Sequence, residues 1–304
     1  DVERSRGLGD VYKRQIDGKV MAVAFMANTQ HLYYREDVLK ELGIPVPKTY
    51  EEVVAASEKI RASGKMQHPY AAAYKAGWNL AEEFVNMFIG HGGEFFKAGT
   101  AEPNINNAKG VATLNMLKKL ASLSNPDYLT HDSEAIKVEW ESGKVALMTL
   151  WASRSGTLLD DEGDAKITAA TKLTGPATVG GGNIPAATLW WDGFTLAKNR
   201  SDSDAEASFI ALAHAASNKK MVADAADQAV WLVEGFVPGP KSIGVIEAVK
   251  MGAKPYPMLP QMGLMHGALG SEIVEFLQGK ESAEQALKDV EAAYISKAKE
   301  QGFL

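Results

Sequence analysis

Three short segments place an aromatic ring beside a hydrogen-bonding side chain at a predicted strand end or turn. The residues are Tyr74, Trp78 and Asn79 in the first segment, Trp151 and Arg154 in the second, and Trp190, Trp191, Asp192 and Gly193 in the third. A sugar ring needs this combination, because its apolar C–H face packs on an aromatic ring and its hydroxyl groups require planar donors and acceptors. Each aromatic residue taken alone is as readily explained by a place in the core, and one of Trp190 and Trp191 must face away from the other. The three segments together favour a sugar site.

Metal and nucleophile chemistry find little support in the sequence. The six histidines are scattered, and none has the His-Glu-x-x-His spacing of a metal site. An acidic stretch at residues 160–164 lacks the alternating ligands of a calcium loop, which favours a solvated loop. Ser153 and Ser155 flank Arg154 without the Gly-x-Ser-x-Gly turn of a hydrolase. We therefore expect no metal, no cofactor and no catalytic group.

Two glycine-rich stretches are poor candidates for a nucleotide site. Residues 180–182 lead to Pro185 and not to a helix start, and a proline interrupts residues 239–242. The adjacent Glu82 and Glu83 are poor candidates for an acid and base pair, because neighbours on a helix point in different directions.

Composition and charge narrow the class of protein. The chain has 304 residues, of which 46% are hydrophobic and 23% charged, as in ordinary globular proteins. This length exceeds what one core usually serves, so two domains are expected. A formal net charge of -6 disfavours nucleic-acid binding, and the absence of cysteine excludes thiol chemistry while leaving the redox compartment open. The longest apolar runs fall short of the roughly 20 residues that span a bilayer.

Helical and strand patterns alternate along the chain and predict an α/β fold. Strands are predicted at residues 20–27, 145–151, 167–173 and 189–197, and helices at about 49–64, 79–91, 108–123 and 133–141. Further helices begin near residues 203 and 219, and two helices close the chain after a Pro/Gly-rich loop at residues 237–240. Capping boxes are predicted for Thr49 with Glu52, Asn79 with Glu82, and Ser282 with Gln285.

Residues 1–15 have no pattern of a folded segment. Residues 10–15 look like the translation of a transposon end used in sequencing adaptors, and residues 4–9 lack hydrophobic periodicity. We expect residues 1–15 to be a non-native, adaptor-like segment. A genuine flexible N-terminal arm is the alternative.

Four stretches carry a resemblance to a known family. They are residues 18–37 (GKVMAVAFMANTQHLYYRED), 47–52 (PKTYEE), 140–148 (WESGKVALM) and 259–262 (LPQM). In this order and spacing they resemble the family 1 extracellular solute-binding proteins of bacterial ABC importers, the family of maltose-binding protein. The resemblance covers residues 16–304.

The resemblance implies a two-lobe α/β fold of the class II periplasmic-binding-protein type, with most of the N-terminal lobe missing from the chain. Family members have roughly a hundred further residues before the position of Ile16, in line with usual domain sizes. Residues 16–29 and 193–244 are then expected to belong to the N-terminal lobe, and residues 30–192 and 245–304 to the C-terminal lobe.

The resemblance also implies positions for the ligand contacts. Asn28, Thr29 and Gln30 correspond to a strand that crosses into the cleft, and Trp191 to Gly193 to the return crossing. Tyr74, Trp78 and Asn79 match the turn before a long helix, Trp151 matches a ring that stacks on sugar, and His266 lies near a position that is often aromatic. Two features depart from the maltose-type pattern: Trp190, Trp191 and Asp192 stand in place of a crossing of small residues, and Arg154 lies just beyond Trp151. They imply a different and smaller ligand than a malto-oligosaccharide.

The function that the resemblance implies is capture of a mono- or small oligosaccharide between two hinged lobes and delivery to a membrane permease. The protein is expected to be a monomer in the periplasm or outside the cell, lipid-anchored in a Gram-positive source, with no enzymatic activity, no cofactor and no nucleic-acid partner. An amine, peptide or polyol ligand stays open, because Asp192 could pair with a cation and Arg154 with a carboxylate. A sugar-cleaving enzyme that uses two carboxylates is the alternative from another class.

Overall fold

The computed structural model of the protein describes residues 13–16, 19–160 and 163–304. The strands are β1 (Lys13–Ile16), β2 (Lys19–Asn28), β3 (Gln30–Arg35), β4 (Tyr70–Ala71), β5 (Leu147–Trp151), β6 (Thr171–Thr174), β7 (Thr188–Phe194), β8 (Val230–Trp231) and β9 (Lys254–Pro255). The helices are α1 (Glu36–Glu41), α2 (Tyr50–Ala62), α3 (Trp78–Gly90), α4 (Ala108–Ala121), α5 (Ser133–Glu141), α6 (Ser155–Leu158), α7 (Ala165–Ala170), α8 (Asp202–Ser217), α9 (Lys219–Asp224), α10 (Ile243–Lys250), α11 (Met262–Leu277) and α12 (Ala283–Glu300).

The strands form two sheets. In sheet A, β2 is antiparallel to β1, β7 and β8, and β7 is parallel to β9. Sheet B has the order β4-β5-β3-β6, in which β3 is antiparallel to both neighbours and β4 is parallel to β5. This mixed architecture confirms the predicted α/β class.

The chain passes from one sheet to the other at two connections of different length. Thr29 alone separates β2 in sheet A from β3 in sheet B, and residues 175–187 lead from β6 in sheet B to β7 in sheet A. The hydroxyl of Thr29 donates a hydrogen bond to the carbonyl of Thr188, 2.8 Å away. The two connections are therefore joined where the sheets meet.

The main hydrophobic core surrounds sheet B. Helices α2, α3, α4, α11 and α12 contribute residues with little or no exposed surface, among them Ile60, Phe84, Leu114, Leu269 and Val290. In α2, α4, α11 and α12, apolar residues at helical spacing form one face, and this face packs against sheet B or against a neighbouring helix.

Helix α3 differs from the others because residues 80–90 are all buried. A helix that is buried on every side belongs in the centre of the protein. The predicted capping box at Asn79 and Glu82 is wrong, because α3 begins at Trp78 with Gly77 as its N-cap and no side-chain cap. Glu82 is instead buried inside the protein.

The other two predicted caps are present in full or in part. Thr49 and Glu52 form both hydrogen bonds of the capping box of α2. Ser282 caps α12, but the Gln285 side chain donates to Asp289, so the reciprocal bond of a capping box is absent there.

Other differences from the predicted elements have local causes. Residues 167–173, predicted as one strand, are divided between α7, which Asp164 caps, and the short β6. Helix α10 was not predicted, and it packs against β3 and β6. Lys13 to Gln15, which the sequence placed in a non-native segment, pair with β2 as part of β1. Residues 1–12, 17 and 18 and the acidic residues 161 and 162 lie outside the described residues.

No helix in the described part of the chain is long and apolar enough to cross a membrane.

Candidate functional site

The strand registers bring two tryptophans to the junction of the sheets. Asn28, the last residue of β2, pairs with Trp190 in β7, and Gln30, the first residue of β3, pairs with Trp151 in β5. Only Thr29 lies between Asn28 and Gln30. The strand registers therefore place Trp190 and Trp151 on opposite sides of the first crossing.

Trp78 reaches the same place from the N-terminus of α3. Gly77 has φ of +99°, a backbone conformation that side-chain-bearing residues rarely adopt. Its N–H donates to the carbonyl of Gly270 in α11, and a Cβ at Gly270 would lie 2.3 Å from the Gly77 carbonyl oxygen. Gly77 and Gly270 thus allow α11 to pack closely against the turn before α3. This turn directs Trp78 outwards, and Trp78 is 51% exposed.

Five aromatic rings meet at this junction, and we call them the aromatic cluster: Trp78, Trp151, Trp190, Tyr256 and His266. The Trp78 ring centroid lies 6.2 Å from that of Trp151, 5.9 Å from Trp190 and 5.0 Å from His266. The rings of Trp190 and Tyr256 are 4.5 Å apart. Side chains from α3, β5, β7, α11 and the segment after β9 therefore build one partly exposed aromatic surface.

Hydrogen bonds fix the tautomer of His266 within the cluster. Its Nε2–H donates to the carbonyl of Trp78 at 3.0 Å, so Nδ1 accepts from the Tyr256 hydroxyl at 2.9 Å. Burial lowers the pKa of His266 below its ordinary value. The imidazole is accordingly neutral at pH 7.

A buried polar network lies behind the cluster. The Trp190 Nε1–H donates to Thr188 Oγ1 at 2.8 Å and lies 3.2 Å from Glu82 Oε1. Thr188 Oγ1 is 2.8 Å from both Glu82 Oε1 and Asn86 Oδ1.

The same network continues to the first crossing. Asn86 Nδ2 donates to Gln30 Oε1 at 3.1 Å, and Gln30 Nε2 donates to Glu83 Oε1 at 2.9 Å. Helix α3 thus holds β3 and β7 through side chains that are almost wholly buried. Burial raises the pKa of both Glu82 and Glu83 well above the usual range of a carboxyl group.

Other predicted residues lie beside the cluster. Asn28 joins the crossing to the end of β5, because its Nδ2 donates to Ser153 Oγ and its Oδ1 accepts from the Ser153 N–H. Arg154 follows Trp151 and forms an ion pair with Glu134 of α5. Asn79 is half-buried in the first turn of α3.

Some predicted residues lie elsewhere. Trp191 makes no ring contact with the cluster, because successive strand residues point to opposite faces and Trp190 is the one that points to α3. The ring of Trp191 lies over Gly193, and Asp192 is exposed. Tyr74 is fully buried and packs edge-on against Tyr128 in the core.

Sequence reasoning missed Tyr256, Thr188, Asn86 and the role of Glu82. The signal for Glu82 was available, since two adjacent glutamates in an otherwise apolar helix require buried partners. No comparable local pattern marks Tyr256, which reaches the cluster because β9 pairs with the start of β7.

Acidic residues and histidines do not converge on a metal site anywhere in the described residues. The candidate site therefore consists of a half-exposed aromatic surface, a polar crossing strand and a buried carboxyl group.

Comparison with known proteins identifies the family of this chain. The sequence profile of the bacterial extracellular solute-binding proteins matches residues 5–233, about three quarters of the chain. The chain belongs to this family. A probable ABC transporter-binding protein of Deinococcus radiodurans is 28% identical over 197 residues, which are 62% of this chain and 45% of that protein. The chain thus matches less than half of the length of this relative.

Solved structures share the fold of this solute-binding protein. Maltose-bound MalE3 of T. maritima superimposes with a TM-score of 0.79 at 20% identity, covering 92% of this chain and 73% of that one. A solute-binding protein from Agrobacterium radiobacter K84 in complex with ribitol gives a TM-score of 0.77 at 21% identity, over 92% of this chain and 72% of that one. The fold is that of the two-lobe solute-binding proteins of ABC transporters.

Proposed function

We propose that this solute-binding protein captures a neutral carbohydrate or polyol between two lobes and delivers it to an ABC permease. The observation that carries the proposal is the aromatic cluster at the junction of sheets A and B. Rings of Trp78, Trp151 and Trp190 supply surfaces for the C–H faces of a sugar, and the half-buried Asn28 supplies a polar group at the crossing. Maltose and ribitol in the two similar structures are ligands of this chemical kind.

The charges near the cluster favour a neutral ligand. Arg154, which the sequence offered as a partner for a carboxylate, is already paired with Glu134. Lys75, close to Trp78 in sequence, is paired with Asp132 at 3.0 Å. An anionic amino acid or peptide would have to break one of these ion pairs. Asp192 is exposed and outside the cluster, so it offers no enclosed site for an amine.

The proposed lobes follow the sheets except at β7 and β9. Residues 16–29 and 193–244 carry β2, β8 and the end of β7 from sheet A with helices α8 and α9. Residues 30–192 and 245–304 carry sheet B and the main core, together with the start of β7 and β9. The crossings at Thr29 and Thr188 are the proposed hinge. A ligand that contacts both sides favours the closed form, and only such a differential contact can drive closure.

The proposal includes no chemical conversion of the ligand. Glu82 contacts Thr188 and Trp190, whereas Glu83 contacts Gln30. The two carboxyl groups therefore do not act as an acid and base pair across one bond. The protein works as a monomer in the periplasm or at the cell surface, lipid-anchored in a Gram-positive source, with the permease as its partner.

A binding screen tests the proposal. The purified chain is incubated with maltose, D-mannitol, ribitol and D-tagatose, and with glutamate, lysine, choline and a tripeptide as controls, and thermal unfolding is followed. A ligand at a hundred times its Kd stabilises the folded state by about 2.7 kcal/mol, which is measurable as a rise in Tm. Stabilisation by a charged control and by no sugar or polyol contradicts the proposal. Product formation from any glycoside contradicts the non-enzymatic part.

A further inference from the structure

The carboxyl group of Glu82 lies directly behind the indole N–H of Trp190 and has no exposed surface. Its second oxygen, Oε2, has no hydrogen-bond partner among the described residues. A buried carboxyl group with an unsatisfied oxygen costs stability, and an apolar residue would suit this buried helix better. Helix packing alone therefore does not explain Glu82.

The contacts of Thr188 specify where a proton must lie. Its Oγ1 accepts from Trp190 Nε1 and lies 2.8 Å from oxygens of both Glu82 and Asn86. Asn86 presents its Oδ1 to Thr188, because its Nδ2 donates to Gln30. One hydroxyl hydrogen cannot serve two acceptors at 2.8 Å, so one of these contacts needs a second donor.

A protonated Glu82 provides that donor. Its O–H donates to Thr188 Oγ1, and the Thr188 hydroxyl then donates to Asn86 Oδ1, so each contact has one hydrogen. When Glu82 is ionised, the Thr188 hydroxyl must turn to the carboxylate, and Asn86 Oδ1 then faces an oxygen lone pair. The link from Trp190 to Gln30 is broken in that state.

We infer that Glu82 is a positioning residue for the ligand site: its protonated carboxyl group connects the Trp190 ring through Thr188 and Asn86 to Gln30, and so holds the two crossing strands in one arrangement. This inference rests on the proposed function. It adds that the site is organised by a proton which the ligand does not touch.

The titratable groups around Glu82 are Glu83, Tyr256 and His266, and their pKa values decide which of them change charge in the pH range of the test. Burial raises the pKa of Glu82 to about 8 and raises that of Glu83, its neighbour on α3. From the other elements, Tyr256 has a pKa raised by burial and His266 a pKa lowered by burial. Between pH 7 and 9 the two carboxyl groups are therefore the ones here that change charge.

The first test needs no ligand. Near-ultraviolet circular dichroism of the chain is recorded from pH 6.5 to 9.5, and subtraction of the Trp190→Phe spectrum isolates the Trp190 signal. In the wild type this signal changes with a midpoint near pH 8. In Glu82→Gln the change is absent, because the amide donates to Thr188 at every pH. Glu83→Gln is the matched control, and it keeps the change because Glu83 does not contact Trp190.

A second variant protects the test against a folding defect in Glu82→Gln. Thr188→Val keeps the shape of the side chain and removes the hydroxyl that links Glu82 to Asn86, so the pH-dependent change is smaller than in the wild type and comes only from the direct contact between Trp190 Nε1 and Glu82 Oε1. A wild-type signal that is constant with pH, a change that persists in Glu82→Gln, or a change of full size in Thr188→Val overturns the inference.

The second test measures binding by calorimetry at pH 6.5 and 9.0, with whichever of maltose, D-mannitol, ribitol or D-tagatose binds in the screen. Loss of one buried hydrogen bond weakens wild-type affinity about five- to tenfold at the higher pH. Glu82→Gln changes less than about twofold between the two pH values. An equal pH dependence in wild type and Glu82→Gln overturns the inference. If none of the four compounds binds and a charged control does, the proposed function is refuted, and the spectroscopic test still decides the role of Glu82.

Discussion

The two sheets of this protein have similar apolar strands but very different cover. Sheet B lies within a core in which Phe84, Leu114 and Ile273 have no exposed surface. On the side of sheet A, α8 buries none of its residues, and Phe209 and Ile210 are 55% and 60% exposed. An apolar cavity of about 240 Å³ lies between sheet A and helices α8 and α9, lined by Phe25, Phe194, Ala215, Ala216, Val222, Ala225, Trp231 and Val233.

The difference shows that apolar sequence alone does not make a core. An amphipathic strand or helix contributes stability only when a second layer removes its apolar face from water. Helix α3 has such layers on all sides, and it carries Trp78 and Glu82 of the candidate site. The site is thus positioned from the well-packed region, and the less covered region supplies Trp190 on a strand that α3 holds in place.

The two regions should differ most in how much stability is lost when a large aromatic side chain is replaced by alanine. Phe84→Ala should lower the free energy of unfolding by about 3 to 5 kcal/mol, because it removes a fully buried ring from α3. Phe209→Ala in α8 should change it by less than about 0.5 kcal/mol, since the ring is already mostly in water. Urea denaturation of both variants measures the difference. Equal losses would show that α8 is packed as tightly as α3.

A buried histidine of sheet B, His31 in β3, should make the stability of the protein depend on pH. Burial lowers the pKa of His31 from 6.5 to about 4, so the unfolded chain binds a proton in this range that the folded protein does not. Stability is therefore lost as the pH falls from 6.5 towards 4, by up to about 3 kcal/mol from this group.

His31→Phe keeps the ring that stacks on Tyr33 and removes the titration. The raised pKa values of Glu82 and Glu83 act in the opposite direction, since they stabilise the folded state as the pH falls, and they are the same in both proteins. Urea unfolding at pH 6.5, 5.5 and 4.5 should therefore show that acidification changes the stability of His31→Phe more favourably than that of the wild type. A lower stability of the variant at every pH does not affect the comparison of slopes. Parallel curves for the two proteins would mean that His31 does not contribute.

A ligand contrast is expected between two neighbours on β7. Trp190→Ala should weaken binding of the sugar or polyol by about 1 to 3 kcal/mol, or roughly tenfold to over a hundredfold, because its ring is part of the aromatic cluster. Trp191→Ala should change the affinity less than about threefold, because its ring lies over Gly193. Calorimetric titration compares the two. A larger loss for Trp191→Ala would mean that Trp191, and not Trp190, contacts the ligand.

The smallest contrast concerns helix caps. Thr49→Ala removes the capping box of α2, whose buried face joins the main core, and should cost about 1 kcal/mol of global stability. Ser201→Ala removes the cap of α8, which buries nothing, so fraying should stay local. Hydrogen exchange of α8 should accelerate in Ser201→Ala while its urea midpoint moves little. A shift as large as that of Thr49→Ala would show that α8 unfolds together with the core.

Local signals in the sequence were sufficient for the α/β class, for most helices and strands, and for the cap at Thr49. They were also sufficient to place Trp78, Trp151 and Trp190 at the ends of elements, because hydrophobic period and turn residues are encoded within short windows. They did not reveal α10, or the division of residues 167–173 between a helix and a strand. Contacts with β3 and β6 decide the place of α10, and such contacts leave no local pattern.

The sequence by itself determined that Trp190 and Trp191 face opposite sides of their strand, since strand side chains alternate. Only the tertiary structure decided that Trp190 is the one that faces α3, where its indole N–H lies beside Glu82. In the same way, the sequence marked Glu82 as a helix residue and a cap, whereas packing on every side of α3 turned it into a buried carboxyl group beside Thr188. Burial and proximity between distant segments set the chemistry of a carboxyl group, and both depend on how the whole chain is packed.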